Sequence, residues 1–600
     1  MSNRSIAFFL TVVSSLLGGT FAQAAEQYAV TYERNVPVKM RDGVILRADI
    51  YRPTADGKFP VLLQRTPYNK DDGFDFGLKA AQHGFVVIFE DVRGRYASEG
   101  DWYTFKNEPN DGYDTVEWAA ALPYSNGKVG MFGGSYVGAT QMLAAIAHPP
   151  HLAGICPIVT ASNYHSNWVY QGGAFEQWFD QSWTSGLAQN TFDREVADNT
   201  NALQGISTFP LANYPLFNLD KHSHPASSTA LALYYLDWLA HPDFDNYWKA
   251  ISIEDHYADI NVPALHVAAW YDLFLGGTLR NYEGLKAHAA TEDARRGQRL
   301  LIVLGGHAGN GPKIGDVDFG AASKIDEDEI TLHWYEYLFK DAHNEFASGK
   351  RARIFVMGAN QWRDEDDWPL SRARNTKYFL HSAGGANSLN GSGSLSTTAS
   401  AKEPSDQYVY DPANPVPTVG GPLCCDSDHL APGARDQRAV EARDDVLVYS
   451  TPPMSEDMEV TGPVTVELYA KSSVVDTDFT AKLIDVWPNG FAQNLTEGIL
   501  RTRYRDSQES PALITPGQIY KFDLDVWATS NIFKKGHVIR LEISSSNFPR
   551  FDRNLNTGRN RYLKASEDVN AEQPFRPATN VIYHDAEHPS SLILPLVSNH

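Results

Sequence analysis

The sequence predicts a mainly parallel α/β sheet with helices on both faces, interrupted by a helical insertion and followed by an all-β domain. Three observations predict it. Short apolar runs alternate with helix-like segments up to about residue 160 and again from residue 262, the pattern of strands joined by crossover helices. Between them, 161–259 abandons that alternation for aromatic, helical-looking segments. From about Ala352 onward, strands of period two are separated by Gly, Pro, Ser and Asn, which predicts a sandwich or jelly roll.

The elements follow in order. Arg4 leads into the apolar Ile6–Val13 and the small-x-small Ala22-Gln23-Ala24, so residues 1–24 are expected to be a secretory signal cleaved near Ala24, too short to span a bilayer. The mature chain is then secreted or periplasmic. Val36–Tyr51 alternates apolar and polar around Asp42-Gly43, a hairpin signal. Val61–Gln64 and Val86–Glu90 are strand runs on either side of a helical Gly77–Gly84, which makes a parallel pair. A helix at Asp111–Leu122 precedes the strand Lys128–Phe132, and Gly154–Val159 is the next strand. The pattern resumes with strands at Val262–Ala269 and Leu300–Leu304 and a helix at Ile330–Phe339; Val464–Ala470 and His537–Ile543 read as strands of the β domain. The Ser/Gly/Asn-rich stretch 382–400 is expected to be a long flexible loop. The resulting plan assigns 25–160 and 260–348 to the α/β domain, 161–259 to a lid and 349–600 to the β domain.

Six hundred residues exceed one ordinary core. A net charge of −22 argues against nucleic acid and anionic membrane as partners, and a small-molecule substrate is expected, with a homo-oligomer left open. Of three cysteines, the adjacent Cys424 and Cys425 are poorly placed to pair because joining neighbours closes a strained ring. Cys156, in an apolar strand, is expected to pack as a small hydrophobe. None has metal-ligand spacing, and no cofactor is expected.

Lys128–Gly138 reads as a strand, a serine among small residues, then a helix over Ala139–His148. That is a nucleophile elbow, in which a sharp turn lifts the Ser135 hydroxyl above the sheet. The usual Gly-x-Ser-x-Gly spacing is altered: Val137 stands two after the serine and the glycine is Gly138. Asp272 follows the strand ending in Ala269, and His307 follows the strand ending in Leu304 between glycines. Both therefore fall in loops at the same sheet edge as Ser135, and Ser, Asp, His is the chain order of α/β-hydrolases. In that scheme His307 is the base and Asp272 orients it. His83, His148 and His266 lie within helix or strand patterns, where packing or surface roles suffice.

Taken together, Gly-x-Ser135-Tyr136-x-Gly, Arg65-Thr66-Pro67-Tyr68, Asp91–Gly100, Trp270-Tyr271-Asp272 and Ser544–Phe551 resemble the cocaine esterase-like serine hydrolases. That group includes α-amino acid ester hydrolases, cephalosporin glutaryl acylases and X-prolyl dipeptidyl peptidases. The resemblance covers nearly the whole mature chain and implies an α/β-hydrolase fold with an inserted helical lid and a C-terminal jelly roll. It implies a triad of Ser135, Asp272 and His307, and an oxyanion hole of the Tyr68 hydroxyl and the Tyr136 N–H. Trp168, Trp183 and Phe274 match positions that line the acyl pocket; the plainer interpretation of the lid aromatics is that they form its own core. Members that bind an α-ammonium carry acidic residues just after the triad aspartate, whereas here stand Phe274 and Leu275; Glu176 or Asp180 of the lid could supply a carboxylate instead. The expected activity is cleavage of an ester or amide through an acyl-enzyme, with an apolar or aromatic acyl group. The alternatives are an X-prolyl dipeptidyl peptidase, a β-lactam acylase, or, outside enzymes, an exported glycan-binding protein.

Overall fold

The computed structural model describes residues 27–198, 232–307, 309–399, 402–559 and 575–598. The expected signal segment, 1–24, lies outside them, as does much of the lid between 199 and 231.

The first sheet contains β1 (Val30–Lys39), β2 (Ile45–Pro53), β3 (Phe59–Thr66), β4 (Val86–Asp91), β5 (Ser125–Gly134), β6 (Leu152–Ile158), β7 (Leu265–Tyr271), β8 (Arg299–Gly306), β9 (Ala352–Val356) and β10 (Gln361–Glu365). Their order is β1-β2-β4-β3-β5-β6-β7-β8-β9-β10. β1 and β2 form the expected hairpin about Asp42-Gly43, with Val38 opposite Leu46. From β4 to β9 the neighbours run parallel. β9 and β10 extend this sheet, so the boundary expected at 348/349 does not coincide with the change of sheet, which falls after Glu365. The reason is the antiparallel β9–β10 hairpin, whose alternation looks like that of a sandwich strand.

Helices α1 (Phe74–Gln82), α2 (Glu108–Ala120) and α3 (Tyr136–Ile146) connect the early strands. After β4 the chain crosses to the other side of β3, so β3 and β5 are neighbours whose following segments leave in opposite directions. Ligands of open α/β sheets bind in the crevice at such a reversal. The two faces are built by period-two alternation. Val61, Leu63, Ile88 and Met131 pack with Ala139 and Leu143 of α3, while Leu62, Val87 and Phe132 pack with Ala80 of α1 and with Leu332 and Tyr335 of the helix Glu327–Lys340.

The lid contributes α4 (Gln177–Asp198) and α5 (Leu233–Ala240); α6 (Leu275–His288) follows β7, and α7 (Glu327–Lys340) follows β8. The remaining β domain is an eleven-stranded, largely antiparallel sheet system that includes Met458–Ser472 and Val538–Ser544. Within 382–399, expected to be a flexible loop, Ser394–Ser396 pairs with Arg374–His381, and the Ser382 hydroxyl donates to Asp406 at 2.6 Å. Short polar residues here cap backbone and carboxylate groups, a use that composition alone does not distinguish from a linker.

A buried charge network lies between β3, β4 and α2. Arg65 donates from Nε to Glu90 and from Nη1 to Glu108, both at 2.7 Å, with all three side chains nearly inaccessible. Burial pushes the Glu90 carboxyl up to about 7 despite the adjacent guanidinium. Replacing Arg65 by Met should leave two buried carboxylates without a counter-charge and cost about 3–5 kcal/mol, read as a shift in the denaturant midpoint at unchanged slope.

Candidate active site

Ser135 is at φ 61° and ψ −128°, between the last residue of β5 and the first of α3. A non-glycine residue rarely adopts such a backbone, at a cost of about 1–3 kcal/mol; here it is held from several sides. Its N–H donates to Ile158 O at 2.9 Å, and its carbonyl accepts from Gly138 and Ala139 at 2.9 and 3.1 Å. Buried Gln141 donates to Gly133 O at 2.9 Å and accepts from Cys156 N at 3.0 Å. The displaced glycine has a packing reason: a Cβ on Gly138 would lie 2.8 Å from Thr160 Cβ. At position 137 the tight place is instead across the turn, where Val137 Cγ1 would meet a Cβ on Gly133 at 2.5 Å, and Gly133 has φ 120°.

Ser135, Asp272 and His307 come together as the sequence predicts. Nε2 of His307 lies 2.9 Å from Ser135 Oγ, and its Nδ1 lies 2.7 Å from Asp272 Oδ1. Asp272 is inaccessible to solvent, and its other oxygen accepts from Phe274 N at 3.0 Å. With the carboxylate against Nδ1, the imidazole carries its proton there and presents a basic Nε2 to the serine.

Tyr68 lies at the end of the segment after β3, across the crevice from the elbow. Its hydroxyl is 3.4 Å from Ser135 Oγ and takes a hydrogen bond from Tyr136 N–H. The two groups expected from sequence to form the oxyanion hole therefore lie together beside Ser135. Burial pushes the Tyr68 phenol above its ordinary value, which keeps it protonated and able to donate. Tyr136 is fixed from below: its hydroxyl donates to Glu108 at 3.0 Å and accepts from Phe105 N at 2.7 Å, which ties the Arg65 network to the oxyanion side.

Trp168, Trp183 and Phe274 form one aromatic cage. Trp168 stacks on Phe274 with centroids 4.4 Å apart and meets Trp183 edge-on at 5.6 Å, and Phe274 meets His307 edge-on at 5.1 Å. The plainer interpretation also holds, since all three belong to the large core of the lid and sheet. Trp183 has a further role that sequence reasoning missed. Its indole N–H donates to Tyr68 Oη at 3.0 Å, so the lid occupies an acceptor position of that hydroxyl.

The motifs around the site act as fasteners. Buried Arg95, from the Asp91–Gly100 segment, donates to Pro67 O at 3.0 Å and to Leu187 O of α4 at 2.9 Å. On the β domain, Arg550 donates to Glu497 at 2.5 Å and to Glu176 at 3.4 Å, and Trp178 N donates to Pro549 O at 3.0 Å. Glu176, a candidate carboxylate for substrate, is thus engaged, and burial pushes it up to about 7. Asp180, the other candidate, is fully buried and neither of its oxygens has a hydrogen-bond partner among the described residues. Burial, then the nearby Glu176, hold its carboxyl well above the usual range.

Among the described residues, two cavities touch His307. One, of about 310 Å³, lies at the strand ends beneath Ser135 and reaches Asn310 and Glu327. The other, of about 320 Å³, is lined by His307, Ile314, Leu423, Cys424, Cys425 and Leu430. Contrary to expectation, Cys424 and Cys425 are joined as a disulfide: Cys425 takes φ 85°, which turns the backbone so that adjacent side chains meet. Cys156 is buried and free, and burial pushes its thiol up to about 12.

A model of the X-Pro dipeptidyl-peptidase (S15) family matches residues 42–309, and one of the X-Pro dipeptidyl-peptidase C-terminal non-catalytic domain matches 344–593. The cocaine esterase of Rhodococcus sp. (strain MB1 Bresler) is 38% identical over 588 residues, 94% of this chain and 98% of its own. The chain belongs to the cocaine esterase-like S15 serine hydrolases. A cocaine esterase-like S15 protein of this kind is an enzyme acting on esters, which overturns the glycan-binding alternative. Two solved structures share the fold of this S15 hydrolase over 98% of its chain and 100% of theirs. An aminopeptidase from the marine sediment archaeon Thaumarchaeota archaeon superposes with TM-score 0.78 at 24% identity, and an α-amino acid ester hydrolase with 0.77 at 23%.

Four substitutions check the site. Ser135→Ala should abolish turnover, and Asp272→Asn should lower kcat by about 10⁴ with the fold intact by circular dichroism, because the imidazole then loses the tautomer the reaction needs. Tyr68→Phe should cost about 3 kcal/mol of transition-state stabilisation, seen in kcat more than in KM. For Asp180, the raised folded-state value means that wild-type stability is full below the unfolded carboxyl value and is lost as pH rises through the folded one. The gain in Tm of Asp180→Asn over wild type should therefore be near zero at about pH 4 and grow toward about pH 8.

Proposed function

We propose that this protein is an exported carboxylic ester hydrolase that works through an acyl-enzyme and takes an apolar or aromatic acyl group. The observation that carries the reading is the 2.9 Å approach of His307 Nε2 to Ser135 Oγ beside the Trp168, Trp183 and Phe274 cage. In the proposed sequence Ser135 Oγ attacks the ester carbonyl carbon and its proton passes to His307 Nε2, while Asp272 stabilises the imidazolium. The carbonyl oxygen becomes an oxyanion between the Tyr68 hydroxyl and the Tyr136 N–H. Collapse returns the proton from His307 to the departing alkoxide, and a water activated by the same imidazole then releases the acid. The acyl group is seated against the cage aromatics, whose rings favour a flat apolar group. Export is supported by the basic, apolar and small-residue order of the first 24 residues.

A dipeptidyl peptidase or β-lactam acylase is the second reading, favoured by the description of the matching S15 family and by the unpartnered Asp180 carboxyl. Phe274 and Leu275 weigh against it: both are buried and apolar, so an α-ammonium placed there loses its hydration without a counter-charge.

Labelling with a fluorophosphonate should place one adduct on Ser135 in the folded protein, and its absence there would sink the acyl-enzyme reading. On an ester panel with a common alcohol, benzoyl esters should exceed acetyl esters by at least about tenfold in kcat/KM. Efficient release of X-Pro dipeptides with little ester turnover would select the second reading.

A further inference from the structure

The leaving group of an acyl transfer must lie against the imidazole that protonates it. The cavity lined by His307, Ile314, Leu423, Cys424, Cys425 and Leu430 contains none of the cage residues Trp168, Trp183 or Phe274 and does not include Tyr68. It is therefore a second side of approach to the imidazole, lined by residues other than those of the cage. Cys424 connects the two sides: it packs in the same buried cluster as the cage aromatics, and its carbonyl accepts from Ser182 Oγ at 3.5 Å, one residue before Trp183.

The loop carrying the pair is fixed at its base. Gly421 and Gly433 exchange backbone hydrogen bonds of 2.8 and 2.9 Å, Asp316 N donates to Ala434 O at 2.7 Å, and Arg435 pairs with Asp316 at 2.6 Å. What sets the position of the cavity wall above that base is the bond between adjacent cysteines, which holds Cys425 at φ 85° and removes the rotation of both side chains. Resting on the acyl-enzyme reading above, we propose that the Cys424–Cys425 disulfide is the wall that limits the leaving group, and that reducing it admits larger alcohols. Cys425 is exposed while Cys424 is buried, so a soluble thiol reaches the outer sulfur. In the exchange, a dithiol attacks Sγ of Cys425 and the S–S bond breaks toward Cys424. The second thiol of the reductant then displaces Cys425, leaving two protein thiols and the oxidised cyclic reductant. The exposed Cys425 side chain then rotates about its Cα–Cβ bond, and its backbone is released to an ordinary conformation.

The experiment uses the full-length mature protein, oxidised or treated with dithiothreitol, with accessible thiols counted by a chromogenic disulfide reagent. Two benzoyl esters share the acyl group and differ in the alcohol, methanol against a bulky bicyclic alcohol. Reduction should expose two thiols and raise the bulky-to-small ratio of kcat/KM by about tenfold, the range in which pocket shape discriminates between substrates. The preference between benzoyl and acetyl esters of methanol should stay unchanged. The Cys424→Ser/Cys425→Ser double variant should show the raised ratio with or without reductant. A ratio unchanged within about twofold after two thiols have appeared would overturn the proposal, as would an oxidised protein in which peptide mass mapping finds no Cys424–Cys425 bond. Absence of turnover in both states together with no fluorophosphonate adduct would overturn the acyl-enzyme reading, and this inference with it.

Discussion

The backbone of Ser135 is the constraint on which the rest of the structure depends. At φ 61° and ψ −128° it aims the hydroxyl out of the sheet and the next N–H toward the same space, but a side-chain-bearing residue does not stay there unaided. There are three restraints: Ile158 at the end of β6, Gln141 one turn into α3, and the close approach of Gly138 to Thr160. Because these are backbone and packing restraints on a rigid sheet, the nucleophile is preorganised before any substrate arrives, which is what electrostatic stabilisation of an oxyanion requires.

A second constraint joins the separate parts of the chain. Arg95 bonds the Tyr68 loop to α4, Trp183 of α4 bonds Tyr68 itself, and Arg550 of the β domain bonds the segment leading into α4. The lid therefore holds the Tyr68 hydroxyl through one indole N–H, and the β domain holds the lid. Each fastener is a buried guanidinium or ring N–H whose partner is a carbonyl, carboxylate or hydroxyl, so removing one leaves a desolvated polar group on the other side. This gives a physical role to the Asp91–Gly100 and Ser544–Phe551 segments, which supply none of the triad.

Legibility in the sequence followed the range of the interaction. The β3–α1–β4 unit, the elbow, and the strand-end positions of Asp272 and His307 were readable because period, turn chemistry and chain order are local properties. The β9–β10 hairpin was read into the β domain because its alternation is the same whichever sheet it joins. The polar stretch from Ser382 was read as a long flexible loop because the partner of its first hydroxyl, Asp406, is 24 residues away. The adjacent cysteines were read as poorly placed to pair because a ring closed between neighbours is strained, and the left-handed backbone at Cys425 that accompanies the bond has no sequence signature.

The sequence by itself determined the chemistry: a serine at a strand-to-helix turn, followed in chain order by an aspartate and a histidine at strand ends, leaves few reactions open. It also determined the altered elbow, in which the glycine moves to position 138 and a tyrosine follows the nucleophile. Only the tertiary structure decided what that elbow faces. Tyr68, 67 residues before Ser135 in the chain, reaches it because the strand order reverses between β3 and β5. Trp183 orients Tyr68, and the Cys424–Cys425 loop closes over His307, because distant segments pack into one crevice. Chain order is written residue by residue, whereas the shape of a pocket is the sum of contacts between segments far apart in the chain, and that sum exists only in the folded molecule.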